Sequence, residues 1–451
     1  MNPMIFREYD IRGVVDTDLT PATVLTLARG AGTYFARHGV SRITVGRDCR
    51  LSSTPFFDAL VEGLLASGMA VTDCGVCPTP LLYFSIRHLE QEGGVMITGS
   101  HNPPEFNGFK VCVGKDAIYG QEIQRLREII EQGEFVQGKG TLSQHDIIKD
   151  YQSYLRENIR LDRAIKVAVD AGNGTGGVVA VPVLQALGCS VEPLYIEMDG
   201  RFPHHHPDPT VEKNLADLIA AVRATGAELG IAYDGDADRI GVIDEQGGII
   251  WGDKLMIIFA RAIIQERGGG TFIGEVKCSQ TLYDEIERLG GRAIMWKTGH
   301  SLLKDKMKRE QALLAGEMSG HMFFADRYFG YDDAIYASCR LLEIVGKTGK
   351  KVSELLAGIP RTYATPEIRV ACPDAQKFKI VEQATAYFRK KYDVIDVDGM
   401  RVKFPDGWGL LRASNTQPAL VLRFEATSEA RLAEIRGMIE TELQGLMQGV
   451  S

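Results

Sequence analysis

A loop serine, three aspartates at alternate positions and an arginine ahead of small polar residues are the parts of this sequence whose chemistry converges on phosphate. The serine lies in Ile97-Thr98-Gly99-Ser100-His101-Asn102-Pro103-Pro104-Glu105-Phe106-Asn107-Gly108-Phe109-Lys110. Gly94-Val95-Met96-Ile97 ahead of it is apolar and β-prone, and the glycine, asparagine and Pro-Pro pair that follow stop a regular element. Ser100 is therefore expected on a stiff loop at the end of a buried strand. A loop serine alone usually bonds only local backbone. Here His101 and Lys110 add polar or cationic groups, while Asn102, Asn107 and Gly108 let the backbone close around an anion.

The aspartates lie in Tyr233-Asp234-Gly235-Asp236-Ala237-Asp238-Arg239-Ile240. Asp234, Asp236 and Asp238 would repel one another unless a hard cation neutralised them. Glu245 at the twelfth position suggests a calcium loop, but Arg239 stands where that loop turns on glycine, and the flanks are strand-like. Three carboxylates with a place left for a phosphate oxygen suit Mg²⁺.

Arg412-Ala413-Ser414-Asn415-Thr416-Gln417-Pro418 joins two apolar strands. Arg412 offers a forked cation, and Ser414, Asn415, Thr416 and the loop amides offer neutral donors, a cradle that holds phosphate without reacting. In Gly316-Glu317-Met318-Ser319-Gly320-His321, the side chains of Glu317 and Ser319 are two apart on an expected extended loop and can reach neighbouring sugar hydroxyls. Lys297-Thr298-Gly299-His300-Ser301 is a second polar interruption of the same region.

The elements around these loops repeat. Ile43–Val45, Phe56–Leu65 and Ala70–Thr72 read as strand, helix, strand; so do 165–169, 178–187 and 190–192, and again 271–273, 281–289 and 292–296. Such units form right-handed crossovers in a mostly parallel sheet. After Pro360, alternating segments surround a helix over 375–392 and end in another over 429–447, which reads as a smaller antiparallel α+β domain. The expected architecture is α/β, with domains at 1–146, 147–248, 249–362 and 363–451.

The four loops resemble those of the α-D-phosphohexomutase family: TGSHNPPEFNGFK its active-site serine loop, DGDADR its metal loop with alanine for the second glycine, GEMSGH the sugar-reading loop of the phosphomannomutase/phosphoglucomutase branch, and RASNTQP its phosphate-binding loop. Glu8-Tyr9-Asp10-Ile11-Arg12-Gly13 is similar to the family's YDIRG motif. The resemblance implies a heart-shaped molecule with a central cleft and a phosphoserine at Ser100. It implies transfer of that phosphoryl group to a hexose monophosphate, reorientation of the hexose 1,6-bisphosphate, and return of the other phosphoryl group. Ser100, Asp234, Asp236 and Asp238 would hold Mg²⁺; Arg12, Lys110 and Arg239 would stabilise charge, with Lys110 or His101 as acid/base. Lys297, His300, Glu317, Ser319, His321, Arg412, Ser414, Asn415 and Thr416 would bind substrate. A reader that accepts both ends of the sugar cannot be strict everywhere, so mannose and glucose phosphates are both expected. Phosphoglucosamine and phosphatase activities remain as alternatives.

Composition limits the other classes. The chain has 451 residues, 45% hydrophobic and 24% charged, too many for one core. A net charge of -8 argues against a nucleic-acid surface, and the N-terminus lacks a signal-peptide or membrane-spanning pattern, so a cytoplasmic enzyme is expected with oligomeric state open. Cys74-Gly-Val-Cys77 is a CxxC, but Pro78-Thr-Pro80 follows where a redox motif would open a helix. Gly172, Gly174 and Gly177 satisfy GxGxxG, with Glu192 about twenty residues on, which would suit a nicotinamide-dependent oxidoreductase; their place deep in the chain speaks against it. His204-His205-His206 sits among prolines, where neighbours diverge, and reads as a structural or cleft-shaping loop.

Overall fold

The computed structural model of the protein describes residues 1–415 and 417–448. Its first three units share one strand pattern. In the first, Arg42–Arg47 lies between Ala70–Val76 and Gly93–Ile97, all parallel, and Phe106–Val113 adds antiparallel to Gly93–Ile97. In the second, Lys166–Asp170 lies between Ser190–Leu194 and Leu229–Tyr233, with Ile240–Asp244 antiparallel beyond. In the third, Thr271–Glu275 lies between Arg292–Trp296 and Leu314–Gly316, with Met322–Phe324 antiparallel beyond.

Parallel neighbours need helical crossovers, and two helices supply them in each unit: Ser53–Ala66 and Thr79–His88, Gly177–Ala186 and Ala216–Thr225, Gln280–Arg288 and His300–Glu310. An antiparallel fourth strand needs only a turn. That turn falls once in each unit, at 98–105, 234–239 and 317–321, at the carboxyl end of the third parallel strand. These are the serine, aspartate and Glu317 loops. Loops at the carboxyl ends of strands are where open α/β sheets bind ligands.

Apolar side chains from all three units merge into one core, including Leu81 and Phe84 from the first, Tyr151, Leu184 and Ile231 from the second, and Phe259 and Tyr336 from the third. Burying each such leucine or phenylalanine contributes about 1.5–3 kcal/mol. The opposite faces of the sheets carry their own layers, such as Phe35 and Leu60 in the first unit.

The C-terminal sheet is antiparallel, ordered Tyr363–Ala364, Ala419–Ala426, Gly407–Ala413, Met400–Phe404 and Asp393–Ile395, with Ile368–Ala371 also paired to Ala419–Ala426. Helices Asp374–Phe388 and Glu429–Gln448 cover it around a separate core. The first of these stops four residues short of the predicted end at 392, where Arg389–Lys391 turn back toward the strand at 393. Buried arginines fasten this domain to the third unit: Arg401 donates to Val276 O at 2.6 Å and Cys278 O at 2.9 Å, and Arg423 donates to Lys277 O.

The structure corrects one step of the CxxC reading. A helix does open after Cys77, at Thr79, because Pro80 sits in the first turn where its missing N–H is not needed. Cys74 and Cys77 are nonetheless buried and burial pushes both thiols up, so neither is poised as a thiolate. Among the described residues no helix is long and apolar enough to cross a membrane.

The junction of the units holds a titratable group. Asp333 caps the helix Ala334–Thr348 and accepts from Tyr151 at 2.8 Å and Tyr328 at 2.7 Å. Burial pushes its carboxyl up to about 6, against hydrogen bonds that pull it down. A raised carboxyl binds its proton more tightly in the folded state, so its contribution is full below the unfolded value of 3.8 and is lost as pH rises toward 6. Relative to Asp333→Asn, the wild-type unfolding free energy should fall by about 2 kcal/mol between pH 4 and pH 6, out of about 3 kcal/mol over the whole titration. Urea unfolding at stepped pH checks this.

Candidate active site

Ser100 is buried, with φ +49°, a left-handed conformation that costs a non-glycine residue about 1–2 kcal/mol. What holds it is a residue the sequence reading passed over. The Arg50 guanidinium lies under the loop and spends all its donors there: on Pro103 O at 2.6 Å, Phe106 O at 3.0 Å, Ser100 O at 2.8 Å, Asn102 O at 2.6 Å and, through Nε, Asp48 at 3.1 Å. Asp48 in turn accepts from Gly99 N at 3.0 Å and Ser53 Oγ at 2.5 Å. The signal available was an arginine and an aspartate in the turn after the strand Arg42–Arg47, two residue types seldom buried without partners. Asn107 and Gly108, expected in the loop, are instead in the strand Phe106–Val113, where the Asn107 amide donates to Ser52 and Ser53.

The Ser100 hydroxyl donates to Asp234 Oδ2 at 2.8 Å and lies 3.1 Å from His101 Nδ1. Burial and the charges of Arg239 and Arg12 push His101 well below its ordinary range, so it is neutral near pH 7. Lys110 donates to Asp238 at 2.5 Å and lies 3.5 Å from Asp236. Burial opposes its charge, but those two carboxylates more than reverse this and hold it cationic. The two nominated acid/base groups are thus in opposite charge states.

Asp234, Asp236 and Asp238 are buried in a turn, not on an extended strand. Ala237 adopts φ +54°, so the alanine takes the left-handed angle that glycine takes without strain. Gly235 is required by close approach: a Cβ there would lie 2.5 Å from Ser100 O. The carboxylates offer oxygens all within 4.8 Å of one another. Burial, then the charges of Asp238 and Asp236, push Asp234 well above the usual carboxylate range, whereas Lys110 and His321 overcome burial to hold Asp238 well below it. Asp236 Oδ1 and Asp238 Oδ1 are buried without a hydrogen-bond partner. An all-oxygen set with orphaned lone pairs and one carboxyl driven toward its neutral form fits a hard cation. A second trio, Asp238, His321 and Asp332, also has atoms without a hydrogen-bond partner, Asp238 Oδ1, His321 Nδ1 and Asp332 Oδ2, but it is a mixed nitrogen and oxygen set with two cations beside it. Arg239 donates to His321 Nε2 at 2.9 Å, Nδ1 lies 3.1 Å from Asp332, and Lys304 donates to Asp332 at 3.2 Å, which makes an ion-pair chain.

On the third unit, Glu317 and Ser319 are brought together by a tight turn, Gly320 N to Glu317 O at 3.1 Å, and not by strand alternation. Ser319 donates to Glu317 at 3.0 Å, and Glu317 accepts from Gly299 N at 2.9 Å. Glu275, also missed from sequence, is buried at the end of its strand and ties both loops by accepting from Thr298 Oγ1 and Met318 N. Its burial was unreadable from local pattern, since a strand-terminal glutamate is commonly exposed. Lys297 is exposed, and the His300 ring lies 5.8 Å from Tyr9 and 5.9 Å from His321.

Arg412 is buried and donates to Asp398 at 3.0 Å; Asp398 also accepts from Thr298 N at 3.0 Å. Asn415 donates to the Tyr9 hydroxyl at 2.8 Å, which donates to Thr298 O at 2.9 Å. Tyr9 thereby links first, third and fourth domains. Ser414 Oγ accepts from Gln417 N at 3.2 Å, and Thr416 lies outside the described residues. Arg12 is partly exposed and pairs with Asp10 at 2.5 Å.

The rival motifs have other duties. The glycine run packs against the aspartate turn: Thr175 N donates to Gly235 O at 3.0 Å, and a Cβ on Gly174 would lie 2.6 Å from the same oxygen. The space a pyrophosphate would need is filled. His204 lies 2.7 Å from Asn173 and His205 3.0 Å from Asp170, so the histidines brace that run in different directions.

This arrangement of three like units and an unlike fourth, with a serine set against a carboxylate turn, has known counterparts. The profiles for phosphoglucomutase/phosphomannomutase alpha/beta/alpha domains I, II and III match residues 3–137, 149–248 and 251–363, and that for the C-terminal domain matches 367–442. The chain belongs to the phosphoglucomutase/phosphomannomutase family. It is 46% identical to a phosphomannomutase/phosphoglucomutase of Pseudomonas aeruginosa, over 98% of this chain and 96% of that one. It is 43% identical to a phosphoglucomutase of Neisseria meningitidis, again over 98% of this chain and 96% of the relative. A crystal structure of a phosphoglucomutase/phosphomannomutase family protein from Burkholderia thailandensis superposes with a TM-score of 0.94 at 40% identity, covering 99% of this chain and 98% of that one.

Arg50→Lys tests the support of the serine loop. A lysine has three donors and no fork. Unfolding free energy should drop by about 3–5 kcal/mol, the cost of breaking a buried charged pair, and kcat/KM by at least about 100-fold as the serine loses its position. Urea unfolding and steady-state turnover measure the two effects separately.

Proposed function

We propose that the protein interconverts the 1-phosphates and 6-phosphates of mannose and glucose, as a phosphomannomutase/phosphoglucomutase acting through phosphoserine at Ser100. The observation that carries this is the contact of the Ser100 hydroxyl with Asp234 inside a buried triple-carboxylate turn, with Lys110 and His101 beside it. Family membership and relatives of that activity covering nearly the whole chain support the same reading.

A hexose monophosphate rests its phosphate on Arg412, Ser414, Asn415 and Thr416, with Glu317, Ser319, His321, Lys297 and His300 around the sugar. The free hydroxyl attacks the Ser100 phosphoryl group; a sugar O–P bond forms, the serine O–P bond breaks, and the hydroxyl proton leaves as the serine oxygen regains one. His101 is neutral and 3.1 Å from Ser100 Oγ, which suits it to carry the serine's proton. Lys110, held cationic, acts with Arg12 and Arg239 on the charge of the transferring group. The bisphosphate then turns end for end and returns its other phosphoryl group. Asp234, Asp236, Asp238 and Ser100 would hold Mg²⁺, which neutralises phosphoryl charge when bound.

Specificity follows from the reader. Glu317 and Ser319 meet hydroxyls shared by mannose and glucose, so both sugars are substrates. We place the domain boundaries at 146, 248 and 362, and the protein in the cytoplasm, where phosphorylated hexoses are handled and where its eight free cysteines would stay reduced.

Phosphorus NMR with Mg²⁺ and a trace of hexose 1,6-bisphosphate should show conversion of mannose 1-phosphate and glucose 1-phosphate to 6-phosphates. Release of inorganic phosphate instead would make the protein a phosphatase. Ser100→Ala should lower turnover at least about 1000-fold, as loss of a nucleophile does, and remove the phosphoryl group from the intact mass while leaving the melting temperature nearly unchanged. Chelation should abolish turnover, and added Mg²⁺ should restore it.

A further inference from the structure

The Arg412 to Gln417 loop has a buried lysine behind it that the mechanism does not use. Lys377 comes from the first turns of the helix Asp374–Phe388 and is only 4% exposed. Its ammonium group donates to Ser414 O at 2.6 Å, Gln417 O at 3.1 Å and Asp374 Oδ1 at 2.6 Å. Three protons meet three acceptors, so the group is used up on the loop and on its own helix.

The two carbonyls belong to Ser414 and Gln417. A loop that binds phosphate must aim N–H groups at the anion and turn its carbonyl oxygens away, because a carbonyl dipole facing phosphate repels it. Neighbouring bonds fix the same stretch: Ala419 N donates to Gln417 O at 2.8 Å, Cys372 N donates to Pro418 O at 3.0 Å, and Arg369 donates to Gln417 Oε1. Of the two cations in this set, Arg369 meets a side chain and Lys377 meets the main-chain carbonyls.

We propose that Lys377 is a positioning residue for the phosphate that is not being transferred: it holds the Ser414 and Gln417 carbonyls so that they do not oppose the anion beside Arg412 and Asn415. This rests on the reading of the loop as a phosphate cradle. Lys377 touches neither substrate nor the reacting atoms. Its loss should therefore weaken capture of the sugar phosphate and leave chemistry at Ser100 largely intact.

The test is steady-state conversion of mannose 1-phosphate and glucose 1-phosphate by the full-length protein carrying Lys377→Met, Lys377→Arg, Arg412→Met or both methionine changes. Lys377→Met should raise KM at least about 10-fold, with kcat at saturation within about threefold of wild type, the pattern of lost uniform binding. Phosphoryl occupancy of Ser100, read by intact mass, should not change. Lys377→Arg should recover part of the KM, and the double variant should lose less than the sum of the singles, because both act on one loop. If Arg412→Met raises KM while Lys377→Met does not, the inference about Lys377 is overturned and the cradle stands. If neither raises KM, the cradle reading itself fails. Should Lys377→Met fold poorly, Lys377→Gln, which keeps a donor for one carbonyl, must give an intermediate KM; a loss of melting temperature and kcat without a rise in KM would reduce Lys377 to a structural role and overturn the proposal.

Discussion

Crowding of like charge in the aspartate turn is the constraint on which the rest of the site depends. Two unit charges 4 Å apart repel by about 4 kcal/mol at an effective dielectric of 20, and Asp234, Asp236 and Asp238 are all buried. Part of that repulsion is met from the first unit: Lys110 bonds Asp238, and the hydroxyls of Thr79 and Thr98 donate to Asp236 at 2.5 and 3.0 Å. The backbone of the turn adds N–H donors from Asp238 and Arg239 to Asp234, both at 3.1 Å. The carboxylates therefore bind the serine loop and the aspartate turn into one object. What compensation remains is left for a cation and for the arginines around it.

Topology explains why such a site can be assembled from separate domains. Each of the first three units reverses direction between its third parallel strand and its antiparallel fourth, and the chemistry is in that reversal each time. The three turns meet directly. Gly235 lies against Ser100 O, and Arg239 bridges to His321 across the second and third units. The shared apolar core fixes the units relative to one another. The fourth domain is attached differently, by arginines capping the carbonyls of 276–278 and by the polar link through Tyr9.

Buried cations recur behind the working loops. Arg50 collects the carbonyls of the serine loop, Lys377 those at the Arg412 loop, and Arg401 and Arg423 those at the junction of third and fourth domains. In each case a buried cation satisfies the carbonyl oxygens of an irregular stretch, which resolves the backbone's demand for partners without a regular element. This accounts for burial of arginines and lysines that would otherwise be expensive to remove from water.

Local sequence determined much of this protein. Apolar period and turn chemistry gave three strand-helix-strand repeats and an antiparallel end, and the residue types around Ser100, Asp234 and Arg412 pointed to phosphate and a hard cation, because spacing along one loop is itself a distance constraint. Tertiary structure decided the rest. Arg50 and Glu275 looked like ordinary polar residues of a turn and a strand end, since nothing local shows that a distant loop will remove them from water. The opposite charge states of His101 and Lys110 were equally hidden: one faces Arg239 and Arg12 and the other Asp238 and Asp236, partners mostly far along the chain. GxGxxG carried a dinucleotide signal until the aspartate turn was found packed into it. A sequence fixes which groups are available and how far apart neighbours can be; which carbonyl, charge or turn each one meets is set only when separate segments are folded together.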